Sequence, residues 1–516
     1  MKIRAEDSTP VIIGAGQVSE KNLPALLAQP PMGLAAEAAR VALADTGAGP
    51  SLAQLIDTIA VVRLFSDSSN RPRLQHGFGR AENPPRALAR RIGADPHTAI
   101  YGHVGGNTPQ ALLNEMAERI AHNAAGVVLL AGAEALSTMQ TAVREGLQLQ
   151  WQEADAGSLE DRGMGEPLTT PQEYAHGIGV PTQTYPLFEN AIRGLRGTSV
   201  QQQLEIMGKL FKPFTKVAAH NPFAYFNVEY SAAELVKVTE KNRYIGFPYP
   251  KLLNARDAVN QGAALIVTSV GRARELQIDP GKLIYLHGCG EASDKLISQR
   301  KNLYSSPGIR ISASKALEMA GKAVADMSHF DLYSCFPSAV EIACDELGIA
   351  HDDPRGLTVI GGLPFFGGPG NNYSMHAITS MVERLRACVR EFGLVTANGG
   401  WLSKHACGIY SAQPTLGLWR RENPANYQRQ IDKLPVPAFT EIAEGAASIE
   451  TYTVVFGRSG PERAIVVGRL RADDRRFIAN TPADAGVLAS LVEQEGLGRP
   501  GNVSHSDGLN TFVPIV

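Results

Sequence analysis

Apolar residues along the chain fall in short, nearly unbroken blocks separated by amphipathic stretches. Val11-Ile-Ile-Gly reads as a buried strand, with Gly14 and Gly16 as a tight turn after it. Leu34 to Asp45 predicts a helix ended by Gly47, and Ile56 to Val62 a second strand. Thr108 to Asn123 predicts a helix, because Leu112, Met116 and Ile120 share one face. Gly126-Val-Val-Leu-Leu-Ala-Gly lacks alternation, as a strand buried on both faces does. Such strands alternating with helices predict an α/β fold built on a parallel sheet.

The same order then returns. Lys282 to His287 reads as a strand, Ser312 to Asp326 as a helix and Phe330 to Ser334 as a strand. Met375 to Phe392 reads as a helix with Ile378, Val382, Leu385 and Val389 inward, and Leu394 to Gly400 as a strand and turn. The offset of about 270 residues is too long for a solenoid and predicts a duplicated unit, two halves of one core. Residues 151–255 lie between the halves. They concentrate Tyr and Phe and carry Lys209, Lys212, Lys216 and His220. Such a segment is either packed by its own aromatics or a lid whose cations meet phosphates. After Ser411, Pro414, Pro424, Pro435 and Pro437 mark a linker, and three strand-like runs then predict a small β domain. The predicted units are 1–150, 151–255, 256–415 and 416–516.

The 516 residues include 49 basic and 51 acidic side chains, a balance that excludes nucleic-acid binding through a global positive field. Five Cys without a C-x-x-C pair argue against a disulfide scaffold or a thiolate zinc cluster, so no metal site is expected. The start lacks the apolar core of a signal peptide. The longest apolar run, Ala124 to Leu136, is too short for a bilayer and contains Glu134. A soluble, cytoplasmic protein without a membrane span is expected.

Four segments carry the candidate chemistry. Gly105 and Gly106 precede the Thr108 helix, where backbone N–H groups can hold an anion or a thioester oxygen. Tyr333 and Cys335 stand two apart in Asp331-Leu-Tyr-Ser-Cys-Phe-Pro, hence on one face. Gly361 to Tyr373 is a Gly-rich loop containing Gly368 and Asn371, followed by His376. Asn398-Gly-Gly-Trp-Leu-Ser-Lys-His-Ala-Cys brings Asn398, Gly399, Gly400, His405 and Cys407. All four lie at predicted strand ends, where open α/β folds bind ligands.

The order of elements over about residues 8–415 resembles the thiolase superfamily, in particular its sterol-carrier-type branch. Val11-Ile-Ile-Gly-Ala-Gly is similar to the family's first strand. Asn260-Gln-Gly-Ala-Ala-Leu-Ile-Val resembles the D-G-A-A-A-L segment that starts the second half. Leu332-Tyr-Ser-Cys-Phe is similar to L-H-D-C-F, and Gly361-Gly through Pro369 to G-G…G-H-P. Members with an extra C-terminal β domain are the most similar. The resemblance implies a five-layer α-β-α-β-α core with two five-stranded sheets, an inserted loop domain that binds coenzyme A, a small all-β C-terminal domain, and a homodimer or tetramer. It implies a role in lipid metabolism, with an acyl-CoA as substrate and no permanently bound cofactor.

Thiolases use a nucleophilic Cys, a His that activates it, a second proton-moving Cys and two oxyanion holes. Carried over by residue, Gly105 stands at the nucleophile, Gly368 at the G-H-P His and Tyr333 at an oxyanion Asn or His. Cys335 matches the proton-moving Cys. The expected catalytic set is Cys335, Tyr333, His405 and His376. Oxyanion and CoA contacts are expected from Gly105, Gly106, Asn371, Asn398, Gly399, Gly400, Lys212 and Lys216. Three activities follow. One is retro-aldol or decarboxylative cleavage beside a thioester by acid–base groups, with the Cys335 thiol acidified by its site. Another is non-catalytic CoA-thioester binding, or service as a partner subunit. A third is acetyl-CoA acetyltransferase chemistry with a nucleophile from elsewhere, Cys289 or Cys407.

Overall fold

The computed structural model describes residues 5–68 and 77–515. Residues 1–4, part of the start read above for a targeting signal, lie outside them. The first five strands are β1 (Pro10–Ser19), β2 (Thr58–Val61), β3 (Thr98–Tyr101), β4 (Val127–Ala135) and β5 (Glu160–Asp161). A hairpin follows, β6 (Tyr244–Gly246) and β7 (Tyr249–Pro250), then β8 (Asn260–Ser269), β9 (Ile284–Ser293), β10 (His329–Asp331), β11 (Phe392–Gly399) and β12 (Lys404–Ser411). The core order is β10-β11-β12-β9-β1-β8-β4-β2-β3-β5.

Two groups of strands repeat one pattern. β4 is parallel to β2 and antiparallel to β8, and β8 is antiparallel to β1. Likewise β11 is parallel to β10 and antiparallel to β12, and β12 is antiparallel to β9. The groups join only where Val11 and Ile12 pair with Tyr285 and Ile284. The sheet is thus mixed, not parallel as predicted, because each half returns through antiparallel strands. Asn260–Ser269, expected to open the second half, instead completes the first between β1 and β4. The described strands divide six and four, not five and five. Beside β10 the fifth place is taken by the segment at Leu357, whose carbonyl accepts from Leu332 N–H at 2.9 Å.

The duplication is also written in glycines. A Cβ on Gly14 or Gly16 would lie 2.3 Å from the carbonyl oxygens of Ala42 and Ala38, in the helix Pro31–Thr46. On Gly288 or Gly290 it would lie 1.9 and 2.1 Å from those of Ala316 and Ser312, in the helix Pro307–Ala320. Each G-x-G lets a covering helix sit on its strand. β1 therefore continues through Gly14 and Gly16, with a register shift between Ile12 and Gly14, where a turn was expected. The helices Thr108–Ala121 and Tyr373–Ala387 touch strands of both groups and each other. They form the middle of five layers. The second ends at Ala387, so Val389, expected inward, is exposed.

Many of the insertion's aromatics pack into the core. Tyr185, Phe188, Phe211, Phe214, Phe247 and Tyr249 are buried. Phe211 and Phe214 lie 5.1 Å apart, and Phe211 lies 6.0 Å from Phe365 of the Gly-rich loop. Glu189 of the helix Pro181–Arg196 is buried beside Glu341 and accepts from Tyr249 Oη at 2.6 Å. Burial and the neighbouring carboxylate raise its pKa well above the ordinary carboxylate range.

The last unit begins with the helix Pro424–Asp432, inside the predicted linker. β13 (Gly445–Phe456), β14 (Pro461–Leu470), β15 (Arg476–Asn480), β16 (Pro500–Ser506) and β17 (Leu509–Pro514) follow. They close a barrel in the order β13-β14-β15-β17-β16 and back to β13, which removes free edges. The hairpin β6–β7 extends it at Val455↔Gly246. Val455, Ile465, Val467 and Ile478 belong to the same buried cluster as the second half of the core.

This continuity makes the barrel part of the fold. A chain ending at Ser411 bares that apolar surface and is expected to aggregate or melt well below the full-length protein in circular dichroism. A soluble 1–411 chain with an unchanged melting temperature overturns the expectation.

Candidate active site

Because β10 and β11 are parallel, the segments that leave them, Leu332–Phe336 and Gly400–Ser403, emerge at the same end. The N-terminus of the Thr108–Ala121 helix meets them from the other half. Tyr333 N–H donates to Thr396 Oγ1 at 2.8 Å, which fixes the ring over Gly106. A Cβ on Gly106 would stand 2.1 Å from Tyr333 Oη and 2.5 Å from the Asn398 carbonyl. Only glycine fits there. Ser374 Oγ donates to the Gly106 carbonyl at 2.6 Å. Gly105 takes φ 146° and has no side chain to act as nucleophile.

Asn398 Nδ2 donates to Tyr185 Oη at 2.9 Å and lies 4.0 Å from Cys335 Sγ. Tyr185 Oη donates to the Gly400 carbonyl at 3.1 Å and accepts from Leu402 N–H at 3.3 Å. Its ring stacks on Phe336 with centroids 4.4 Å apart. Tyr333, Asn398 and His405 line one small cavity of about 10 Å³, room for one water. Burial pushes the Cys335 thiol up to about 12 and raises the Tyr333 phenol as well. Both are neutral donors at neutral pH. The acidified Cys335 expected from sequence is therefore corrected: the site withholds solvent and sets no cation beside the sulfur.

His405 Nε2 lies 3.2 Å from Asp294 Oδ2, 3.0 Å from the Leu402 carbonyl and 3.3 Å from Ser306 Oγ. Asp294 is held below the ordinary carboxylate range despite its burial, with His405 and Arg300 among the groups responsible. His376 is not part of this centre. It is buried with Nδ1 3.0 Å from Gln17 Oε1, burial lowers it to about 3, and Phe366 and Tyr373 stand between it and Tyr333. Asn371 is also elsewhere, donating to the Arg63 carbonyl and Ser68 Oγ, both at 2.9 Å. Lys212 and Lys216 lie on the exposed face of the helix Val200–His220. Cys289 and Cys407 are buried in β9 and β12, with burial pushing Cys289 up to about 12 and Cys407 higher, so neither suits a nucleophile.

The Gly-rich loop serves packing. A Cβ on Gly361 would stand 2.5 Å from Ala218 Cβ, and one on Gly362 2.8 Å from Phe214 and 2.9 Å from Ser334 Oγ. A Cβ on Gly370 would likewise stand 2.2 Å from Glu134 Oε1. The Gly399–Ser403 turn depends on a guanidinium. Leu402 takes φ 50°, unfavourable for a side-chain-bearing residue. Arg300 Nη2 donates to the Trp401 and Leu402 carbonyls at 2.9 and 2.5 Å. Arg476 of the barrel is fully buried and donates in turn to the carbonyls of Ser298, Arg300 and Lys301 and to Glu450.

A groove of about 770 Å³ reaches the centre from the side. His103, Asn107, Glu115, Lys404, His405 and Arg421 are among its walls, and the insertion's lysines are not. Asn107 Oδ1 is buried at its head without a hydrogen-bond partner. Sequence reading missed Tyr185, Arg300 and Asp294 as site residues. No local motif marks them; only the tertiary contacts do.

The C-terminal residues 426–508 match the family model described as the thiolase-like protein type 1 additional C-terminal domain. Among solved structures, a monomeric SCP2-thiolase-like protein type 1 from Mycobacterium smegmatis is 38% identical, over 99% of this chain and 100% of that one, with a TM-score of 0.85. An Ltp2–ChsH2(DUF35) aldolase is 18% identical over 79% of this chain and 98% of that one, with a TM-score of 0.56. An acetyl-CoA acetyltransferase from Syntrophomonas wolfei is 15% identical over 79% and 100%, with a TM-score of 0.54. These last two share the fold. No curated protein matches. Fold and comparisons together define a thiolase-type core with an added C-terminal barrel. The chain belongs to the SCP2-thiolase-like protein type 1 family.

Glu134, beneath Gly370, is fully buried and accepts from Phe65 N–H at 2.7 Å. Burial pushes its pKa up to about 8. The folded state therefore binds a proton that the unfolded chain has released above about pH 4.5, and stability falls as pH rises from there to about 8. Glu134→Gln is expected to flatten this slope and to raise the melting temperature at pH 8 more than at pH 5. Equal effects at both pH values would refute it.

Proposed function

We propose that the protein binds an acyl-CoA thioester and acts on the carbon–carbon bond next to it by acid–base chemistry, without an acyl-enzyme. The carrying observation is that Tyr333, Asn398 and His405 line one cavity at adjacent strand ends. Neutral hydroxyl and amide donors suit a carbonyl oxygen that gains negative charge. His405, oriented through Nε2 by Asp294, is the group to move a proton, as in retro-aldol or decarboxylative cleavage. Cys335, protonated, serves as a further donor. The groove ending at Asn107 and His405 is the ligand's approach. Lys212 and Lys216 remain candidates for the distant phosphates, as free cations on the insertion.

The small volume beside Tyr333 favours a second reading, a thioester-binding protein without turnover. Incubation with acetyl-CoA is expected to leave the intact mass unchanged; an added acetyl group would overturn the absence of an acyl-enzyme. Cleavage of a β-hydroxyacyl-CoA panel separates the two readings. If turnover is found, His405→Gln should lower it by about 100-fold or more, and Tyr333→Phe by about 10-fold or more. Binding of acetyl-CoA by calorimetry with no turnover of any member would leave the binding reading. No binding at all would sink both.

The resemblance implies a dimer or tetramer, whereas the similar M. smegmatis protein is described as monomeric. We propose a monomer here too. β5 pairs with β3 and covers its edge, and Arg162, next in the chain, is paired with Glu115 at 2.6 Å. Light scattering behind size exclusion should give about the 55.2 kDa of one chain; a stable dimer mass would contradict it.

A further inference from the structure

His329, Cys388 and Glu391 form a cluster outside the centre described above. One donor atom from each, imidazole nitrogen, thiol sulfur and carboxylate oxygen, lies within 4.8 Å of the other two. It is the one such trio among the described residues. We propose that these three side chains form a binding site for a borderline-soft divalent cation of the Zn²⁺ type.

The donors are backbone-fixed from three sides. His329 opens β10, and the preceding Ser328 N–H donates to the Phe392 carbonyl at 2.8 Å. Cys388 caps the Tyr373–Ala387 helix, its N–H donating to the Arg384 carbonyl at 3.0 Å. Glu391 N–H then donates to the Cys388 carbonyl at 2.9 Å, and Ser411 Oγ to the Glu391 carbonyl at 2.8 Å. A tight turn thus brings the ligands of a C-x-x-E pair round to a histidine 62 positions away from Glu391.

The donor set selects the ion. One sulfur, one imidazole and one carboxylate suit Zn²⁺ or Co²⁺, and not the all-oxygen preference of Mg²⁺ or Ca²⁺. Three protein ligands leave the fourth position to water. Cys388 is the one cysteine of the five that is not buried, so its thiol can lose its proton to solvent as the metal–sulfur bond forms. The ion would replace the present His329–Glu391 hydrogen bond of 2.6 Å. The charge of Arg384, which reaches His329, opposes a cation and sets the affinity below that of a closed structural site. A bound ion would tie the beginnings of β10 and β11, whose far ends carry Tyr333, Cys335 and Asn398.

The alternative is a plain His–Glu contact with a bystander thiol. Full-length protein, freed of any affinity tag and treated with chelator, is titrated with Co²⁺. The expected result is a one-to-one complex with a sulfur-to-cobalt charge-transfer band and the visible bands of four-coordinate cobalt, both displaced by Zn²⁺. Cys388→Ser should abolish the charge-transfer band, and Glu391→Gln and His329→Gln should each weaken binding by about 10-fold or more. Zn²⁺ should raise the melting temperature of the wild type and not of Cys388→Ser, whose own melting in chelator reports that it folds. Saturable binding without the sulfur band, or the same band in Cys388→Ser, places the ion elsewhere and overturns the proposal. So does absence of binding at millimolar Co²⁺.

Discussion

The site hangs on one buried cation. Arg300 is enclosed, and burial lowers its pKa, yet it holds the Trp401 and Leu402 carbonyls, with Asp294 as the nearby counter-charge. A buried guanidinium is costly unless its donors are used, and Nε and Nη2 are used, on the Lys295, Trp401 and Leu402 carbonyls. That arrangement maintains the left-handed Leu402, which in turn offers its N–H to Tyr185 and its carbonyl to His405. Asn398 is then fixed through Tyr185. Remove the guanidinium and the turn has no reason to keep a strained residue.

Arg300 is itself seated by the barrel. Arg476 closes on the carbonyls of Ser298, Arg300 and Lys301, and Glu450 balances its charge. The added domain therefore supplies no group to the cavity but shapes the turn that does.

Water exclusion decides the chemistry of the centre. A thiol is acidified by a nearby cation, and among the described residues none acts on Cys335, whose burial raises its pKa. The same fold elsewhere supports acyl transfer, which shows how far a shared scaffold leaves function to individual side chains. Here Gly106 admits the Tyr333 hydroxyl into space that any side chain at 106 would take, so a phenol lies against the helix terminus.

Much of the core was legible in the sequence, because burial on both faces leaves apolar runs and a duplication repeats them. The helix over Leu112, Met116 and Ile120 and the repeat between the halves follow from that pattern. So does the lack of a nucleophile at Gly105, which is a matter of residue identity. Tertiary structure decided the rest. Gly14 and Gly16 look like a turn until a helix carbonyl is seen 2.3 Å from each missing Cβ. Tyr333, Cys335, Asn398 and His405 meet because strand ends converge, whereas His376 and Asn371 lie elsewhere, since a helix or loop residue can face either way. Tyr185 and Arg300 carry no local signal. Their roles arise from hydrogen bonds to carbonyls more than 100 positions away, a distance over which only the folded chain can bring donor to acceptor.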